Sequence, residues 1–113
     1  MPKQTQDRRS TERSLCSELV RIEYRDQQGE IVNVTGLLED VSRRGLCLSL
    51  SLPVSVGAEI RFQCAGFSGK AAVEYCNLGN YSYLVGAAFL DGLEWDKSIW
   101  RPRHLLALAQ PGQ

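Results

Sequence analysis

The chain has 113 residues, enough for one domain with a core of its own. Hydrophobic residues make up 43% and charged residues 23%, the balance of an ordinary globular protein, which excludes a disordered chain. Thirteen basic residues offset thirteen acidic ones. That balance argues against a non-specific nucleic-acid binder, whose affinity comes from neutralising many phosphates.

Residues 1–14 are polar and charged, with no apolar period, and are expected to form a flexible N-terminal arm. Residues 15–113 are expected to hold the folded domain. Val20, Ile22 and Tyr24 alternate with Arg21, Glu23 and Arg25, the pattern of a half-buried strand. Asp26–Gly29 reads as a turn. Ile31 to Leu38 is a second strand rich in β-branched residues, with Gly36 as a candidate bulge.

The run LCLSLSL, Leu46 to Leu52, carries the strongest signal: its four leucines align on one face of a strand but would scatter around a helix. Ile60, Phe62 and Cys64 mark a fourth strand. Ala71, Val73 and Tyr75 mark a fifth, and Tyr83, Val85, Ala87 and Phe89 a sixth. Six short strands with Gly- and Asn-containing turns between them predict an all-β, antiparallel barrel or sandwich. After Gly92 the alternation ends. Residues 94–100 and 103–109 are expected to be helical, with Trp95, Ile99 and Trp100 on a shared face that covers one side of the barrel.

The four cysteines, Cys16, Cys47, Cys64 and Cys76, have no CxxC spacing, and His104 lies far from all of them, so the pattern argues against a zinc site. The first thirty residues hold no apolar run, and no segment approaches a membrane span. A reduced, cytoplasmic protein is expected. The common phosphate-loop motifs are absent, and His104 has no nucleophile beside it in sequence. Glu39 and Asp40 are neighbours on a strand, where alternation points them to opposite faces. An enzyme is not expected.

Two charged motifs stand out. DRRSTER, Asp7 to Arg13, carries Arg9 and Arg13 in an RxxxR spacing, preceded by Arg8. One strand and one turn later, DVSRRG places Asp40, Ser42 and Gly45 in a DxSxxG pattern where the second strand ends. Alone, the first is a solvated tail and the second an Asx-type turn. Together, with GLCLSL following and LVGAAFLD late in the chain, they resemble the PilZ domain family. The resemblance spans most of the chain. It implies a six-stranded antiparallel β-barrel with a C-terminal helix, and a ligand: cyclic di-GMP, a bacterial second messenger.

By that resemblance Arg9 and Arg13 contact phosphate and the Hoogsteen edge of guanine, where a guanidinium can fork onto O6 and N7 or stack on the purine. Asp40 and Ser42 contact the guanine edge carrying the ring N–H and amine, and Gly45 allows close backbone approach. Arg8 favours a stacked ligand pair over a single ligand. Arg43 or Arg44 can add a phosphate contact. Glu12, beside Arg13, departs from the apolar residue or proline that many relatives carry.

The resulting expectation is a receptor and adaptor that orders its arm on ligand and signals to a partner protein, with no further cofactor. A degenerate PilZ-like module that binds only protein stays open as an alternative. So does a small OB-like barrel for single-stranded nucleic acid, although that should interleave aromatic and basic residues on one face.

Overall fold

The computed structural model describes residues 13–102 and 105–108. The described chain is built of strands: β1 (Arg13–Arg25), β2 (Ile31–Ser42), β3 (Gly45–Leu50), β4 (Glu59–Cys64), β5 (Phe67–Leu78), β6 (Tyr83–Phe89) and β7 (Leu105–Leu108). Each of the first six follows an apolar alternation bounded by turn residues. The hydrogen-bonded order β2-β3-β6-β5-β4-β1 closes on itself through the β1–β2 pairing, giving a six-stranded antiparallel barrel. Closure removes the open edges that a flat sheet of this size would expose. On the edge away from β2, β1 is long enough to serve two further neighbours. Residues 21–24 pair with β4, and residues 14–16 pair with β7.

The barrel is filled by the inward rows of its strands. Val20 and Ile22 of β1, Leu46, Leu48 and Leu50 of β3, and Ile60, Phe62 and Cys64 of β4 are all buried. Leu52 is exposed because β3 ends at Leu50, before the proline. Glu18, on the inward row of β1, is the one charged residue buried among those described, at 2% exposure, and it is engaged within the protein. All four cysteines are free thiols.

The end of the barrel is covered as the apolar residues 95 and 100 foretell, but by a turn. Residues 94–100 form no helix; the N–H groups of Ile99 and Trp100 both donate to the Asp96 carbonyl. Trp95 and Trp100 are buried, while Ile99, expected on the same face, is exposed. The Trp95 indole donates to the Trp100 carbonyl at 2.8 Å, and the Trp100 indole to the Ala65 carbonyl at 2.7 Å. Trp100 stacks on Phe67 with ring centres 5.3 Å apart. Gly66 (φ 96°) makes the tight β4–β5 turn beneath it, where a Cβ would lie 3.1 Å from the Trp100 ring. Among the described residues there is no helix, and none long and apolar enough to cross a membrane. Residues 105–108 are strand and thus depart from the helix expected over 103–109, while residues 103, 104 and 109–113 lie outside the described residues.

Two interruptions of the alternation shape the outer surface. Gly36, a candidate bulge in the sequence, pairs in regular register with Val20, and a Cβ there would collide with Leu50 and the Ser49 carbonyl. The bulge lies three residues on. Leu38 pairs with Leu48 but Asp40 with Cys47, so Glu39 is an extra residue against β3. A second extra residue, Glu74, sits in β5, where Val73 pairs with Ala87 but Tyr75 with Gly86.

Candidate functional site

An extra residue in a strand reverses which side the following residues face. Leu38 and Val41 are both fully buried, although they stand three positions apart, a spacing that a regular strand would put on opposite faces. A regular strand through Leu38 would aim Asp40 and Ser42 into the core beside the leucines of β3. The bulge at Glu39 swings them outward. It also breaks the strict alternation assumed for Glu39 and Asp40 in the sequence. The same device acts in β5. Val73 is buried, the bulge follows, and Tyr75 turns outward at 38% exposure instead of continuing the inward row that Ala71 and Val73 begin.

The two bulges aim their residues at one patch. Asp40, Cys47, Gly86 and Tyr75 are successive cross-strand partners on β2, β3, β6 and β5. Ser42, Gly45, Ala88 and Ala72 form the next row. The middle positions are small, so the floor between Asp40 and Tyr75 is low. Gly86 has no side chain because the Tyr75 ring occupies that space, and the Tyr75 hydroxyl lies 3.7 Å from the Cys47 sulfur. The ring therefore leans across β6 toward Asp40. Gly45 is required for a similar reason: a Cβ would strike the Ala87 carbonyl oxygen of β6. Together these residues line a shallow cavity of about 210 Å³, with Asp40, Ser42, Arg44, Gly45, Glu74 and Tyr75 around it.

Arg43 and Arg44 are the two turn residues between the paired Ser42 and Gly45. The Ser42 hydroxyl donates to the Gly45 carbonyl at 3.4 Å. The turn is tied to the end of β6 and to the segment after it. The Trp95 N–H donates to the Arg43 carbonyl at 2.9 Å, and the Phe89 N–H to the Arg44 carbonyl at 2.8 Å. Glu94 lies against both guanidinium groups, 3.2 Å from Arg43 Nε and 3.6 Å from Arg44 Nε.

The arm motif reaches this patch at one end. Arg13, assigned to the arm from the sequence, is the first residue of β1, and its backbone is the partner of Ser42. Leu15 is likewise opposite Asp40. The register thus brings the end of RxxxR alongside DxSxxG. Arg8 and Arg9 lie outside the described residues. Tyr75 and Glu74 did not stand out in the sequence, because an extra residue in a strand leaves no mark in an apolar alternation. Glu94 became visible only through its contact with a turn fifty residues away.

A wider hollow among the described residues lies elsewhere. It measures about 580 Å³ and runs over β1, β2, β4 and β5, between Arg21, Glu23, Arg61 and Lys70. It contains no residue of either motif. Its three cations, Arg21, Arg61 and Lys70, share the lining with one acid, Glu23, and neutral polar groups such as Asn33, Gln63 and Ser68. The smaller cavity gathers the motif residues and is the better candidate.

No protein-family model matches the chain, and no curated protein matches it. Among solved structures, the fold is similar to that of the Bacillus subtilis inhibitor of motility (MotI/DgrA), with a TM-score of 0.59 and 17% identity. The likeness covers 79% of this chain and 45% of that one, so the chain spans less than half the length of that protein. At that identity the likeness is one of fold.

Proposed function

We propose that the barrel is a PilZ-type receptor for cyclic di-GMP that passes the presence of its ligand to a partner protein. The observation that carries this reading is the placement of Asp40 and Ser42. A bulge directs both onto a low-floored patch, and the backbone of Arg13 lies opposite Ser42. The likeness in fold to an inhibitor of motility supports action by docking on another protein rather than by catalysis. A second messenger of bacteria places that work in the cytoplasm.

The chemistry divides between the barrel and the arm. The cavity is lined by two carboxylates, Asp40 and Glu74, and one guanidinium, Arg44. Carboxylates accept from the N–H groups on a guanine edge but repel phosphate. The Tyr75 ring offers a flat apolar face for the base, and stacking of this kind contributes about 1–3 kcal/mol. The two phosphates need further positive charge, and the arm supplies it. Arg9 precedes Arg13 by four residues, a reach of about 14 Å when extended. Arg9 and Arg13 would close over a ligand whose base already lies on the floor. A cavity of about 210 Å³ is too small to enclose a dinucleotide, so the arm completes the site.

Titration calorimetry with cyclic di-GMP tests the reading. Wild type is expected to bind, with a stoichiometry that shows whether Arg8 accompanies a stacked pair. Arg9→Ala, Arg13→Ala and Asp40→Ala are each expected to weaken binding by about 1.5–3 kcal/mol, the range for hydrogen bonds to charged groups. An inert wild type would remove the function; unchanged affinity in all three variants would remove the site.

A further inference from the structure

Glu94 is placed where an anion bound to the motif turn would sit. Its Oε1 takes a hydrogen bond from Arg43 Nε at 3.2 Å, and its Oε2 lies 3.6 Å from Arg44 Nε. One carboxylate thus bridges both arginines of DVSRRG, as two oxygens of a phosphate can. Glu94 is also held in position by its neighbour. Trp95 is buried, its N–H donates to the Arg43 carbonyl, and its indole donates to the Trp100 carbonyl. The closing turn therefore presents the carboxylate to the guanidinium groups.

We infer that Glu94 is a built-in competitor for the anionic ligand, occupying Arg43 and Arg44 in the free protein and yielding them when a phosphate arrives. The inference rests on the cyclic di-GMP reading and adds the group that sets its threshold. The strength of the contact suits the role. The arginine side chains are 56% and 78% exposed and Glu94 42% exposed, so water screens the pair. Ion pairs of that kind are weak enough for a doubly charged ligand to displace. Charge acts in the same direction as displacement, because a carboxylate beside Arg44 repels any phosphate entering the cavity that Arg44 lines.

The test is titration of cyclic di-GMP into wild type, Glu94→Gln, the Arg43→Ala/Arg44→Ala pair, and the triple variant, at low and high salt. Glu94→Gln keeps the shape of the side chain and removes its charge. It is expected to bind about twofold to fivefold more tightly than wild type at low salt, the range of an exposed ion pair, with the gain shrinking at high salt. In the double-alanine background the same substitution is expected to change little. On the wild type itself, the Arg43 Nε–H signal followed by NMR is expected to move on ligand saturation, as one anionic acceptor replaces another. Equal or weaker binding by Glu94→Gln, or an Arg43 signal that ligand leaves unmoved, overturns the inference while leaving the receptor reading intact. A wild type that binds no cyclic di-GMP overturns both.

Discussion

The interior of the barrel and the patch over β2, β3, β6 and β5 use the same strands in opposite ways. Inside, alternation is regular and the side chains are large: Phe62, Leu48, Leu50 and Ile60 fill the volume. Outside, at the patch, alternation is broken twice and the central side chains are absent or small: Gly45, Gly86 and Ala88. The interior excludes water by volume. The patch does the reverse, lowering its floor and aiming polar groups over it. Regular strand residues hold the fold, and the interruptions shape the patch proposed to receive the ligand.

The largest expected effect lies on the interior side of this comparison. Phe62 is 2% exposed and its ring packs 5.4 Å from Phe67 and 5.7 Å from Phe89. Phe62→Ala is expected to cost about 3–5 kcal/mol in urea unfolding, from lost transfer energy and a cavity that the barrel cannot collapse. No residue of the patch should cost as much when truncated to alanine. If Asp40→Ala or Tyr75→Ala destabilised the protein equally, the division between interior and patch would be false.

Gly45 sits where the two regions meet. A Cβ there would overlap the Ala87 carbonyl oxygen and lie 3.3 Å from Ala88 Cα, which is backbone and cannot swing aside. Gly45→Ala is expected to cost about 1–3 kcal/mol as β3 and β6 are pushed apart. It also raises the floor beside Ser42. Stability and ligand affinity should therefore fall together in this variant, whereas Phe62→Ala lowers stability alone. Parallel urea and calorimetric titrations separate the two.

The fold was legible because a barrel repeats one simple signal. Leu46, Leu48 and Leu50 or Ile60, Phe62 and Cys64 announce their strands without any knowledge of their partners. The motif residues Asp40, Ser42 and Gly45 were legible as a pattern of residue types at a turn. What stayed hidden depends on pairing. The bulges at Glu39 and Glu74 are defined by a neighbouring strand having one residue fewer. Alternation therefore placed Tyr75 on the wrong side, and a glycine within a strand pattern pointed to a bulge at Gly36 instead of Glu39. The turn at 94–100 was hidden for a related reason. Trp95, Ile99 and Trp100 carry a helical spacing, but the indole hydrogen bonds to Trp100 and Ala65 draw the segment into a turn.

The smallest effects concern the two inward-facing thiols of the interior. Burial, then the charges of Asp40 and Glu18, pushes the Cys16 thiol from an ordinary value near 9.0 up to about 12. Burial followed by Glu18 does the same for Cys64. Both are protonated at neutral pH, and the folded protein favours that form. Their contribution to stability is thus complete below about pH 9 and is lost as pH climbs from there toward 12. Urea midpoints measured across that window should fall less steeply in a Cys16→Ala/Cys64→Ala variant than in wild type. The thiolate is the nucleophile, so iodoacetamide at neutral pH should modify buried Cys16 and Cys64 far more slowly than an ordinary thiol. Half-buried Cys76 should react before either. Prompt labelling of Cys16 or Cys64 in the folded protein would mean that water reaches the inward rows, and that the interior is as open as the patch.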